Sequence, residues 1–244
     1  MSSYRFACAL SGLALIGSTL LASQSFAAIT DVPDSNHNNV IDLADLIATG
    51  STGFDISDKH FSNFSYTPSG ATAPAASSIV VSDVSTPAGV AISYNFNWST
   101  LNGISMDSRI DYRVDVTDPD PATMIDAVDL AFDGSASNAA VADVSETVND
   151  TSGNFLTQLA VFTDPDGAGP LQGVSSVTSP LLPPQRGILV DKDIQLFSAP
   201  TTSNINNMAS INFVENSYHQ TPEPACLAML GLVGSICAMR RRRI

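Results

Sequence analysis

Cysteine is nearly absent. The 244 residues contain only Cys8, Cys226 and Cys237, the first in an N-terminal apolar segment and the other two in a C-terminal one. The stretch between them has no thiol, so no disulfide can staple it and its stability must come from a packed core. With 44% hydrophobic residues, a core is feasible, since a domain of this length buries about 70% of its unfolded surface. Histidine is scarce too: His37, His60 and His219 lie far apart. No HExxH, GxSxG or Walker-type sequence occurs, and "GAGPLQG" has the wrong spacing for a dinucleotide loop. No intrinsic catalysis is expected. A carboxylate pair could serve a glycosidase, but with 24 acids in the chain that possibility has no discriminating power.

Positive charge is the third shortage. Between the leader and the C-terminal apolar run, Lys59, Arg109, Arg113, Arg186 and Lys192 face all 24 acidic residues. Such a surface repels nucleic acid and anionic membranes and attracts divalent cations. Nucleic-acid binding is therefore not expected. Of the remaining basic residues, Arg5 is in the leader, and Arg240, Arg241, Arg242 and Arg243 close the chain.

The two ends read as addresses. Residues 1–27 combine Arg5, an apolar segment from Ala7 to Ala22, and the small-x-small triplet Ser25-Phe26-Ala27. That is the pattern of a signal peptide cleaved after Ala27; the alternative is a retained anchor. The C-terminal run Ala225 to Met239 would reach about 22 Å as a helix, short of a hydrocarbon core of roughly 30 Å, a mismatch that snorkelling arginines reduce. Four arginines resist translocation, so they are expected to stay cytoplasmic as a stop signal and leave the acidic body outside.

Pro222-Glu223-Pro224, an apolar helix and a terminal arginine cluster, in that order, resemble the PEP-CTERM sorting signal of exported bacterial proteins. The resemblance implies recognition by exosortase, an integral membrane cysteine protease-like enzyme. It also implies a membrane-anchored precursor that ends at the cell surface or in the extracellular polysaccharide matrix. It covers residues 222–244 and speaks to sorting, not to the activity of the body. The two prolines keep the segment extended ahead of the helix.

The body, residues 61–221, alternates with period two between turn signals. In "GVAISYNFNWST" Val90, Ile92, Tyr94, Phe96 and Trp98 fall on one face. In "SRIDYRVDVTDPD" Ile110, Tyr112, Val114 and Val116 point inward, while Arg109, Asp111, Arg113 and Asp115 form an outward ladder of alternating sign. About ten such strands predict an all-β antiparallel sandwich, jelly-roll or immunoglobulin-like, between an N-terminal signal helix and a C-terminal transmembrane helix. The tetrapeptide Thr-Asp-Pro-Asp recurs at Thr117 and Thr163 and reads as loop punctuation. "DISDKHFSNF" resembles the opening of a group of PEP-CTERM ectodomains through Asp58, Lys59, Phe61, Ser62 and Phe64. Ser57 stands where that group has glycine. No activity attaches to the group, and the plain reading is an edge strand held to the core by Phe61 and Phe64.

Residues 28–60 are expected to hold a short helix and a calcium loop. In "DSNHNNVIDLAD" oxygen ligands fall at positions 1, 3, 5, 9 and 12, namely Asp34, Asn36, Asn38, Asp42 and Asp45, with the Val40 carbonyl at 7. The pattern is similar to EF-hand and dockerin loops. It departs from them in having Asn39 at position 6 and Asp rather than Glu at 12. The alternative is a polar loop with Asp42 capping a helix. Three functions stay open: an exported structural or interaction protein, a calcium-stabilised carbohydrate-binding module, and a secreted glycoside hydrolase.

Overall fold

The computed structural model describes residues 41–85, 89–163, 173–201 and 206–220. One short helix, α1 (Leu43–Thr49), precedes eleven strands. These are β1 (Phe54–Ile56), β2 (Lys59–Ser69), β3 (Val80–Asp83), β4 (Val90–Leu101), β5 (Ser105–Val116), β6 (Ile125–Ser137), β7 (Ala140–Asp150), β8 (Phe155–Thr163), β9 (Ser176–Gln185), β10 (Gly187–Ser198) and β11 (Met208–Gln220). They form two sheets, ordered β1-β2-β5-β10-β7-β8 and β3-β4-β11-β6-β9. All strand pairs are antiparallel. The chain is an all-β sandwich, as the alternation predicts. Among the described residues no helix is long and apolar enough to cross a membrane; the leader and the C-terminal apolar run lie outside them.

Which side chains enter the core follows from side-chain parity. Ile110, Tyr112, Val114 and Val116 on β5 are all buried, as are Ile188, Val190, Ile194 and Leu196 on its neighbour β10. Across the sandwich they meet Val90, Ile92, Tyr94 and Trp98 of β4 and Val128, Leu130 and Phe132 of β6. Phe96 is only partly buried and packs edge-on against Trp98, with ring centroids 5.6 Å apart. The core takes in residues ahead of Phe61: Leu43 and Leu46 of α1 and Phe54 and Ile56 of β1 belong to it. Phe54 stacks on Phe61 and Phe64, and Phe64 stacks on Tyr112 at 5.1 Å.

Phe61 and Phe64 are three residues apart, a spacing that a regular strand would send to opposite faces. A bulge between Ser62 and Ser65 resolves this, with Asn63 at φ 57° absorbing the extra residue. A second bulge, between Ile211 and Phe213, shifts the inward face of β11 from Ala209 and Ile211 to Val214, Asn216 and Tyr218.

Candidate functional site

The outward face of the six-stranded sheet carries the charge ladder. Arg109 donates through Nε to Asp111 Oδ1 at 3.0 Å and through Nη2 to Asp191 Oδ2 at 2.6 Å. Arg113 pairs with Asp115 on its own strand at 2.6 Å. Asp111 sits directly opposite Asp191 in the β5–β10 register, and Arg109 opposite Asp193. The like-charged cross-strand pair would be destabilising on its own; Arg109 lies between its members and offsets the repulsion.

Acids outnumber arginines on this face, and the proton affinities respond. Partial burial, then a hydrogen bond and repulsion from Asp193, push the Asp107 carboxyl up to about 6. Burial and the charge of Asp193 raise Asp143. Burial and Asp111 raise Asp191, against the pull of Arg109. Shallow depressions line this strip. One of about 340 Å³ is bounded by Thr67, Asp107, Arg109, Thr147, Asp191 and Asp193. Its neighbour adds Gln195 and Phe197, and the Phe197 ring is 53% exposed. Hydroxyls, carboxylates and one guanidinium set this way can exchange hydrogen bonds with a polyhydroxylated ligand.

A second polar constellation is hidden between the sheets. Lys192 and Glu146 are cross-strand partners of β10 and β7, and both face the core. Asn216 of β11 reaches them from the opposing sheet. All three side chains belong to residues with no solvent exposure. Lys192 Nζ donates to Glu146 Oε2 at 2.5 Å, and Asn216 Nδ2 donates to Glu146 Oε2 and Oε1 at 2.6 and 2.8 Å. Burial lowers the Lys192 pKa, with the Glu146 charge opposing that shift. Tyr94, Tyr112 and Tyr218 are also buried, and desolvation holds their hydroxyls well above the usual range, with the Glu146 carboxylate adding to the effect.

The sequence reading misses this trio although the signal is present. Ile188, Val190, Lys192, Ile194 and Leu196 share one parity, as do Val144, Glu146 and Val148, and Asn216 sits between Val214 and Tyr218. Each polar residue occupies an apolar register position.

Of the calcium-loop residues, Asp42 and Asp45 are described and form the capping box of α1. The Asp45 N–H donates to Asp42 Oδ1 and the Asp42 N–H to Asp45 Oδ2, both at 3.1 Å. Asp34, Asn36, Asn38 and Val40 lie outside the described residues, as do Pro222, Glu223, Pro224 and Arg240 to Arg243 of the tail expected to direct sorting. The Thr117 turn folds as punctuation: Asp118 Oδ1 accepts the Asp120 N–H at 2.7 Å and Asp120 Oδ1 the Ala122 N–H at 2.9 Å. The second copy, beyond Thr163, is outside the described residues. His60 pairs with Asp55 and His219 with Asp129, and among the described residues no group of three or more histidine or acidic side chains gathers that could hold a metal ion.

No protein-family model matches this chain, and no curated protein matches it. Solved structures that resemble it in part include two low-identity matches. A subviral particle of infectious bursal disease virus VP2 is 12% identical, with a TM-score of 0.30 over 57% of this chain and 35% of that one. The arabinose-bound α-L-arabinofuranosidase MgGH51 is 11% identical, with a TM-score of 0.24 over 68% and 23%. The chain thus spans about a third and about a quarter of their lengths.

Proposed function

We propose that this chain is an exported structural or interaction protein of the cell surface or extracellular matrix, without intrinsic catalysis, sorted by exosortase through its C-terminal tail. The observation that carries this reading is the order of parts. A leader precedes a thiol-free, acid-rich sandwich whose last strand runs to Gln220, and Pro222-Glu223-Pro224, the apolar run and the arginine cluster follow at once. The strand orders β4-β11-β6-β9 and β5-β10-β7-β8 support the jelly-roll alternative, since from β4 to β11 every successive strand but the β7–β8 hairpin passes to the other sheet. Replacing Pro222 and Pro224 with Ala is expected to leave full-length precursor in the membrane. Unchanged processing would count against sorting through this tail.

The carbohydrate-binding alternative gains from the depressions beside Asp107, Gln195 and Phe197, and loses from Tyr94 and Trp98, whose rings are buried. Incubating the body with extracted matrix polysaccharide separates the readings. Retention without new reducing ends supports binding, new reducing ends support a hydrolase, and neither supports a structural role.

A further inference from the structure

A primary amine, a carboxylate and a carboxamide are in contact inside an apolar core, and no cysteine occurs among the described residues. An isolated buried ion pair adds little net stability, because desolvation of both charges consumes most of their attraction. Here the pair is met by a third group whose leaving nitrogen, Asn216 Nδ2, and the amine nitrogen, Lys192 Nζ, each lie within one hydrogen bond of the same oxygen, Glu146 Oε2. Among the described residues Asn216 Oδ1 is a buried acceptor with no hydrogen-bond partner, so the amide is only half satisfied as it stands.

We propose that Lys192 and Asn216 become joined by an intramolecular isopeptide bond, with Glu146 as the proton carrier. Burial favours the neutral amine and makes Lys192 a nucleophile. Glu146 Oε2 takes the proton from the Lys192 ammonium across their 2.5 Å contact. The free Nζ attacks Cγ of Asn216, forming the new C–N bond. A proton passes from the attacking nitrogen by way of Glu146 to Nδ2, the Cγ–Nδ2 bond breaks, and ammonia leaves. The amine and the primary amide become a secondary amide plus ammonia, with no change of oxidation state and no outside reagent. Glu146 is left holding the proton that the Lys192 ammonium gave up, so the charges on the two sides of the reaction balance. The dry surroundings keep water from competing for the amide carbon. The bond would tie β10 of one sheet to β11 of the other, a covalent link between sheets in a body without thiols. This inference does not depend on the export reading.

The test is made on the full-length chain and needs no variant to decide whether the bond exists. Cyanogen bromide cuts after Met124, Met208 and Met229, which places Lys192 and Asn216 on different fragments. The expected result is a single species containing residues 125–208 and 209–229, lighter than their sum by one ammonia. Two separate fragments overturn the proposal, including when the intact chain is short by one ammonia, since succinimide formation at Asn102-Gly103 would produce that loss elsewhere. Asn216→Ala leaves the ion pair in place and removes the acyl carbon, so its fragments are expected to separate; fragments that stay joined would place the link elsewhere. Glu146→Gln, shown to be folded by the near-ultraviolet signal of Trp98, is expected to separate as well. Full joining in that variant would remove the carboxylate from the reaction.

Discussion

Tyr112 and Tyr218 meet hydroxyl to hydroxyl at 2.5 Å, one from β5 of the six-stranded sheet and the other from β11 of the five-stranded sheet. Tyr112 is 2% exposed and Tyr218 fully buried, so water cannot replace either partner. Tyr218→Phe should cost about 1–3 kcal/mol, because it strands the Tyr112 hydroxyl in the core. The double variant Tyr112→Phe/Tyr218→Phe removes both ends of the bond and should cost clearly less than the two single losses combined. Urea denaturation of the four proteins checks this, and strict additivity would show that the two hydroxyls are not coupled.

Arg186 fixes the loop between β5 and β6 from a distance. Its guanidinium donates to the carbonyls of Asp120 at 2.6 Å, Asp118 at 2.5 Å and Val116 at 3.1 Å. A planar fork can serve several carbonyls at once; an ammonium cannot reproduce that geometry. Arg186→Lys should therefore lose about 1–3 kcal/mol and open the loop to proteolysis between Val116 and Thr123. A urea midpoint and a limited digest, compared with the parent protein, read the two effects separately.

What the sequence made legible is the parity. The inward rows Ile110 to Val116 and Val90 to Tyr94, with Trp98, are buried as the alternation requires. The outward ladder of Arg109, Asp111, Arg113 and Asp115 is seen as ion pairs. What it hid is whatever breaks parity or defies it. Phe61 and Phe64 share the core only through the bulge at Asn63, and the bulge in β11 changes face at a position no propensity marks. Lys192, Glu146 and Asn216 were missed because charge is ordinarily read as exposure, whereas register put each of them inside. Strand order was out of reach because parity sets which face a residue takes, not which strand lies beside it.

Four described residues other than glycine adopt left-handed backbone, Ser57, Asn63, Asn102 and Asn138, and two of them test what that conformation costs. Ser57, where the resembling ectodomains have glycine, opens the two-residue turn between β1 and β2 at φ 56°, and Asn63 sits at φ 57°. Left-handed backbone costs an L-residue roughly 1–2 kcal/mol, less for Asn. Ser57→Gly should raise stability by up to about 1 kcal/mol, and Asn63→Val should lower it by about 1–2 kcal/mol. Melting curves of the two variants moving in opposite directions would confirm the assignment; a rise with Asn63→Val would refute it.

The acidic strip gives a pH dependence of definite sign. The Asp107 carboxyl, raised from 3.8 to about 6 in the fold, holds its proton while the unfolded chain has already released it. Between those values the folded state binds more protons, so the group's contribution to stability falls as pH rises through the window and is fully lost above about 6. Asp143 and Asp191, also raised, act in the same direction. Asp107→Asn should therefore melt higher than the parent at pH 7 and show little difference below pH about 4. A gap in melting temperature that grows as the solution is acidified would contradict the repulsion from Asp193.

The capping box holds two carboxylates that the calcium loop expected from the sequence would also need, which makes the two roles separable. Asp42 and Asp45 satisfy each other's backbone N–H groups at the start of α1, and Leu43 and Leu46 on that turn are in the core. Capping needs no ion. Asp42→Ala should cost about 1 kcal/mol whether melting is followed in chelator or in millimolar calcium. Asp34→Ala, remote from the box in sequence, should leave stability in chelator unchanged. A deficit for Asp42→Ala that appears only when calcium is present, matched by an equal one for Asp34→Ala, would transfer Asp42 from helix capping to the metal.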